Sequence, residues 1–159
     1  MQSFNKDYKG TNEICGRKIM KIELNIFEKP IGKQRPRVVN RHAYTPKKTV
    51  DFEQLIQRNF KIKYPNFTPF MTNLKMRIIA KFQIPKSYSN KKRNSLLGKY
   101  YPHKPDVDNI AKIVQDALNG LAYKDDMQIC SLSLEKYYCN ENEREYLHIE
   151  IEECNADNS

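Results

Sequence analysis

KPDVDNIAKIVQDALNGLAYKDDMQI, residues 104–129, decides how the second half of this chain folds and carries its most legible chemistry. After Pro105, the residues Val107, Ile110, Val114, Ala117 and Leu121 recur at helical spacing. That period predicts an amphipathic helix over residues 108–120, with Gly120 closing it. Four of the five aspartates in the stretch, Asp106, Asp108, Asp125 and Asp126, lie just outside or at the ends of this helix. Lys112 follows Asp108 by four residues, which makes the two neighbours on the helix surface, about 5–6 Å apart at Cβ. Asp106 precedes the helix, where the chain can turn its carboxylate toward the same point. Carboxylate oxygens suit hard divalent cations such as Mg²⁺.

Outward from this stretch the charges are sorted rather than mixed. The chain has 159 residues and a net charge of +9, yet residues 1–105 carry 24 basic and 6 acidic side chains, while residues 106–159 carry 4 and 13. A basic first half is the part that meets an anion, and Lys and Arg around clustered carboxylates attract a polyanion that the carboxylates alone would repel. The length fits a single domain with a full core. Residues 1–18 are polar and lack a sustained period, which predicts a mobile tail or upstream extension before a domain spanning residues 19–159.

Cys15, Cys130, Cys139 and Cys154 show no metal-ligand or redox spacing, and His42, His103 and His148 lie far from them. These residues read as structural or incidental. With neither a signal peptide nor a long apolar run, the expected setting is a reducing cytoplasm with no membrane partner.

Ile22, Leu24 and Ile26 alternate with Lys21, Glu23 and Asn25 as in a half-buried strand. A basic loop follows, bearing Lys33, Arg35, Arg37 and Arg41. Thr45 is then expected to cap a helix with Pro46 at its first position, striped by Phe52, Leu55, Ile56 and Phe60 and ending near Tyr64. Lys47 and Lys48 in that first turn oppose the helix dipole, a placement that a bound phosphate would explain. Leu74, Met76, Ile78, Ala80, Phe82 and Ile84 alternate in a second strand. Residues 89–97 form a short helix capped by Ser89 and carrying Lys91, Lys92 and Arg93. Residues 129–138 and 144–152 alternate around a polar turn and read as a hairpin. The order β-α-β-α-β-β, with a short extra helix, predicts a single α+β domain whose mixed sheet is covered on one face by two main helices.

Taken alone, Asp-x-Asp before a helix reads first as an N-cap and a surface ion pair worth a few tenths of a kcal/mol. The second pair, Asp125-Asp126, adds like charges that call for a cation or solvent beside them. Together, KPDVDNIAKIVQDALNG and YKDDMQI, with KQRPR and YTPKKT upstream, resemble the RusA-type Holliday junction resolvases, small endonucleases of bacteria and prophages. The resemblance covers most of residues 20–152. It implies a homodimer that cuts four-way DNA junctions with Mg²⁺, or Mn²⁺ in its place, in recombination, repair or phage DNA processing. It further implies that Asp106, Asp108 and Asp126 hold the metal, that Lys112 is the essential cation and that Asp125 is a supporting acid.

Lys33, Arg35, Arg37, Lys47, Lys48, Lys86, Lys91, Lys92 and Arg93 are the candidates for gripping DNA, with Tyr88, Tyr100 and Tyr101 as candidate stacking residues. A non-catalytic nucleic-acid-binding module and a less selective flap or fork nuclease are the competing readings. Geometry raises one question: the helix is about 18 Å long, and six residue steps from Gly120 to Asp126 cover at most about 20–22 Å. Asp126 can barely return to Asp108 within one chain, so a metal site shared across the dimer is expected.

Overall fold

The computed structural model describes residues 11–14 and 17–154, with side chains from Met20 onward. In chain order the elements are β1 (Thr11–Ile14), β2 (Arg17–Ile26), β3 (Arg37–Val39), β4 (His42–Tyr44), α1 (Lys47–Lys63), β5 (Leu74–Phe82), α2 (Asn90–Leu96), α3 (Val107–Leu118), a 3-10 turn at Asp126–Gln128, β6 (Ile129–Tyr138) and β7 (Tyr146–Glu153). The fold is α+β. Its five-stranded sheet runs β1-β2-β7-β5-β6, with β6 parallel to β5 and the other neighbours antiparallel.

The predicted periods account for the core. Ile22, Leu24 and Ile26 of β2, the alternate residues of β5 from Leu74 to Phe82, and Leu147, Ile149 and Ile151 of β7 are all buried. They meet Phe52, Ile56 and Phe60 of α1 and Ile110, Ile113, Val114 and Ala117 of α3, two helices that also pack on each other. Each such side chain contributes on the order of 1.5–3 kcal/mol by leaving water. Gly98 and Gly120 end α2 and α3 at φ of +65° and +78°, which glycine adopts without a Cβ clash.

Five expectations need correction. β6 and β7 do not form a hairpin, because β5 lies between them and pairs with both. Alternation marks a strand but not its partner, and the polar turn is long enough to step over one strand. Thr45 does not cap α1; Pro46 occupies the cap position and is buried. Val107 is 48% exposed and Leu121 only partly buried, so the α3 stripe instead takes in Ala111, Ile113 and Leu118. The first strand pair also begins earlier than the alternating run, at Thr11, and the basic loop contains the β3–β4 hairpin. Residues 1–10 of the expected tail, and Cys15, lie outside the described residues. Cys139 is buried, and burial pushes its thiol up to about 11, which keeps it protonated and inert near neutral pH.

The sheet face opposite the helices is polar. Glu150 of β7 accepts from His148 Nε2 at 2.9 Å and pairs with Lys21 Nζ at 3.2 Å. Burial works against the Glu150 charge, but the hydrogen bonds from His148 and Lys21 outweigh it, and the net shift of its pKa is downward. A depressed folded-state pKa stabilises the fold above the ordinary glutamate value, and that contribution is lost as pH falls through the folded value. Glu150→Gln is expected to lower stability at pH 7 by about 1 kcal/mol or less, given partial exposure. Thermal melts across pH should show the difference from wild type closing below about pH 4.

Candidate active site

The first turn of α3 and the basic loop before β3 meet to form a cavity of about 590 Å³, lined by Lys33, Gln34, Arg35, Pro36, Arg37, Asp106, Asp108 and Asn109. Gly32 permits this approach: a Cβ there would stand 2.8 Å from Asn109 Cβ and 3.0 Å from Pro105 Cβ. The contact is held by Lys33 N donating to Asn109 O at 2.8 Å. Charge sorting along the chain thus becomes juxtaposition in space, with a carboxylate pair from the acidic half facing guanidinium groups from the basic half.

Asp106 sits at the N-cap position of α3, yet its side chain makes no capping hydrogen bond. Its carbonyl starts the helix by accepting from Ile110 N at 3.1 Å, while its exposed carboxylate remains available to the cavity. Asp108, in the first turn of α3, is exposed as well. Lys112 is exposed on the same helix, and it closes no ion pair with Asp108 or another carboxylate among the described residues. Capping and pairing therefore do not account for these three side chains.

Asp126 is placed elsewhere. It opens the 3-10 turn before β6, and it does not line the cavity. Lys136, toward the other end of β6, reaches the Pro105 carbonyl next to Asp106. A strand rise of about 3.3 Å per residue separates Ile129 from Lys136 by about 23 Å. Asp106 and Asp126 thus lie toward opposite ends of β6. Among the described residues no group of three or more His, Cys, Asp or Glu side chains stands close enough to hold a metal. Asp125 is a working cap: its Oδ1 accepts from Met127 N at 2.9 Å, and Gln128 Oε1 accepts from Asp125 N at 2.9 Å. Gln128 Nε2 also donates to Phe70 O and Thr72 O, which fixes this turn against the chain entering β5.

The candidate DNA contacts divide by surroundings. Arg35 and Arg37 are exposed at the cavity wall, and Lys47 and Lys48 are exposed at the start of α1. Lys33 is instead held between Glu53 of α1 and Asp116 of α3, with Asp116 Oδ2 at 2.9 Å. Burial alone would lower the Lys33 pKa, but its hydrogen bonds to Glu53 and Asp116 outweigh this and raise it, so the ammonium is a charged brace between loop and helices. Lys86, Lys91 and Lys92 are exposed, with Lys92 Nζ 3.6 Å from the Tyr88 ring centroid. Arg93 donates to Pro85 O at 3.1 Å. Tyr101 is stacked on Phe82 at 4.1 Å and packs against the core, whereas Tyr100 is 71% exposed and stacks on Tyr137 at 5.0 Å.

Lys136 is a residue that sequence reasoning missed. Its ammonium donates to His103 O at 2.6 Å and Pro105 O at 2.8 Å, and its own carbonyl accepts from Tyr101 N at 2.9 Å. Burial lowers its pKa against the opposing pull of Asp106. One residue thereby ties β6 to the loop that delivers Asp106. No periodic or motif signal marks it, since its partners are backbone carbonyls more than thirty positions away. Lys136→Met is expected to lower stability by about 1–3 kcal/mol and to speed amide exchange around residue 106. Denaturant melts and hydrogen exchange check this.

A carboxylate pair facing a wall of arginines on an α+β scaffold is an arrangement suited to a nuclease. Residues 28–152 match the family described as Endodeoxyribonuclease RusA, and the chain belongs to that family of nucleases acting on DNA. Over 138 residues it is 34% identical to Uncharacterized protein YqaN of Bacillus subtilis (strain 168), across 82% of this chain and 96% of that protein.

Proposed function

We propose that this protein is a divalent-metal-dependent endonuclease that resolves four-way DNA junctions by hydrolysing phosphodiesters in paired, symmetric cuts. The observation that carries the reading is the uncapped Asp106 carboxylate sharing a cavity with Asp108 and the Arg35–Arg37 wall. The donor set fits Mg²⁺, which takes one or two carboxylates and fills its remaining positions with waters and substrate phosphate oxygens. A cavity of about 590 Å³ leaves room for both.

Asp106 and Asp108 would hold the ion, with Mn²⁺ as a substitute and Asp126 supplied from the partner protomer. When bound, the cation neutralises phosphoryl charge and acidifies the attacking water. Arg35 and Arg37 bind the phosphates flanking the cut and fix the strand in register. Lys112, which has no carboxylate partner among the described residues, offsets charge that develops on the phosphorus-bound oxygens as water adds. A symmetric dimer presents two such sites to two symmetric strands, so paired incision follows from the symmetry. The described helices include none long and apolar enough to cross a membrane, and a cytoplasmic protein of bacterial or phage origin fits the reading.

The test is a labelled four-way junction and a matched duplex incubated with purified protein, with and without Mg²⁺. Junction cutting that requires the metal is expected, and binding without metal-dependent cutting would favour a plain DNA-binding module. Lys112→Ala should bind the junction normally and cut it about 10²–10³-fold more slowly in single turnover. Near-normal cutting would remove Lys112 from the chemistry.

A further inference from the structure

We infer that the β3–β4 hairpin is a junction-probing finger that inserts its tip into the open centre of branched DNA. The inference rests on the nuclease reading above and adds the element that would separate a branch from a duplex. All six strand residues of the hairpin are exposed, including Val38 at 69%, Val39 at 54% and Tyr44 at 47%. A two-stranded ribbon with no covered face is marginal in water, and apolar side chains on it call for a partner.

The feet of the ribbon are fixed. Gln34 N donates to the buried Thr49 Oγ1 at 3.3 Å on one side, and Pro46 is buried on the other. The ribbon therefore projects from an anchored base, and its first residue, Arg37, also lines the acid cavity. Whatever the ribbon touches is continuous with what enters that cavity.

Its tip identifies the partner. Asn40 and Arg41 form the two-residue turn at φ of 50° and 64°. Asn tolerates this left-handed region, whereas an arginine there is strained and glycine would relax it. Arg41 thus places a guanidinium at the end of the ribbon at a cost to the backbone. With Arg37, it brackets Val38 and Val39, which stand just behind the turn on opposite faces of the ribbon, so cations flank exposed apolar side chains. Phosphate backbones meet the cations, and unstacked bases at a branch centre meet the valines as they do the wedges of DNA-bending proteins. A duplex admits those valines only by unstacking a base step, which a branch centre does not require.

The experiment compares wild type, Arg41→Gly and the double variant Val38→Thr/Val39→Thr in Ca²⁺, where binding is read without cutting. Arg41→Gly relieves the turn, and Val→Thr keeps the β-branched shape, so neither variant should melt appreciably below wild type, and all three should share one oligomeric state by light scattering. Each variant should bind the four-way junction roughly tenfold more weakly while duplex affinity moves less than about twofold. A 2-aminopurine at the branch centre should brighten with wild type and stay quenched with the variants. Equal losses on junction and duplex, unchanged junction binding, or a dimer turned to monomer would each overturn the finger. A wild type that does not prefer junctions would instead overturn the nuclease reading beneath it.

Discussion

Asp108→Asn is expected to bind a four-way junction as tightly as wild type and to cut it at least roughly 10³-fold more slowly. The amide has the shape of the carboxylate, and Asp108 is exposed on the first turn of α3 with no ion-pair partner among the described residues to lose. The fold should therefore be untouched. What disappears is one of the two anionic oxygen donors that share the cavity with Asn109 and the Arg35–Arg37 wall. A divalent ion held by few protein carboxylates loses much of its affinity when one becomes neutral. Removing negative charge from a basic groove should leave DNA affinity equal or slightly higher. Two measurements separate these effects: Mn²⁺ titration of the free protein, and gel shift of the junction in Ca²⁺. The variant should need far more Mn²⁺ while its junction binding holds. Cutting within tenfold of wild type at saturating Mg²⁺ would remove Asp108 from the metal site.

How much of this could be read from the chain depends on how local the determinant is. The strands β2 and β5 and the helices α1 and α3 follow from apolar periods, because burying one face is a property of the segment itself. Strand partnership is not such a property, and β5 settles between β6 and β7 even though the latter two are consecutive in the chain. The sheet has room for the crossover because the turn between them contains seven residues, 139–145, including Asn142 at φ of 59°. That Asp106 and Asp108 stand together at the start of α3, with Lys112 one turn on, was legible through their spacing. The partners of Lys33, namely Glu53 and Asp116, come from two other elements, and no spacing rule could convert that candidate DNA contact into a brace. Lys136 was invisible for the same reason, since its role exists only once β6 passes behind the loop at residues 101–105. Asp125 caps the 3-10 turn before β6, a local role that nothing in its sequence context had marked.

Asp126 poses the sharpest question, and mixing two inactive proteins answers it. Within one chain Asp126 sits at the start of β6, away from the cavity that holds Asp106 and Asp108. If Asp126 completes a site on the partner protomer, Asp108→Asn and Asp126→Asn homodimers each carry two broken sites. After subunit exchange, about half of the dimers are mixed, and each mixed dimer has one site with both defects and one with neither. The mixture should then regain about a quarter of the wild-type metal sites. Its product should be a nicked junction rather than a resolved one, because a single intact site makes a single incision. Co-purification of differently tagged protomers verifies the exchange, and Mn²⁺ titration counts the restored sites without relying on cutting. If exchange is complete and the mixture neither binds Mn²⁺ nor nicks beyond the sum of its parts, no metal shell is shared. Asp126 would then act within its own protomer or outside the metal site, and Asp106 and Asp108 would need no carboxylate from the partner to hold the ion.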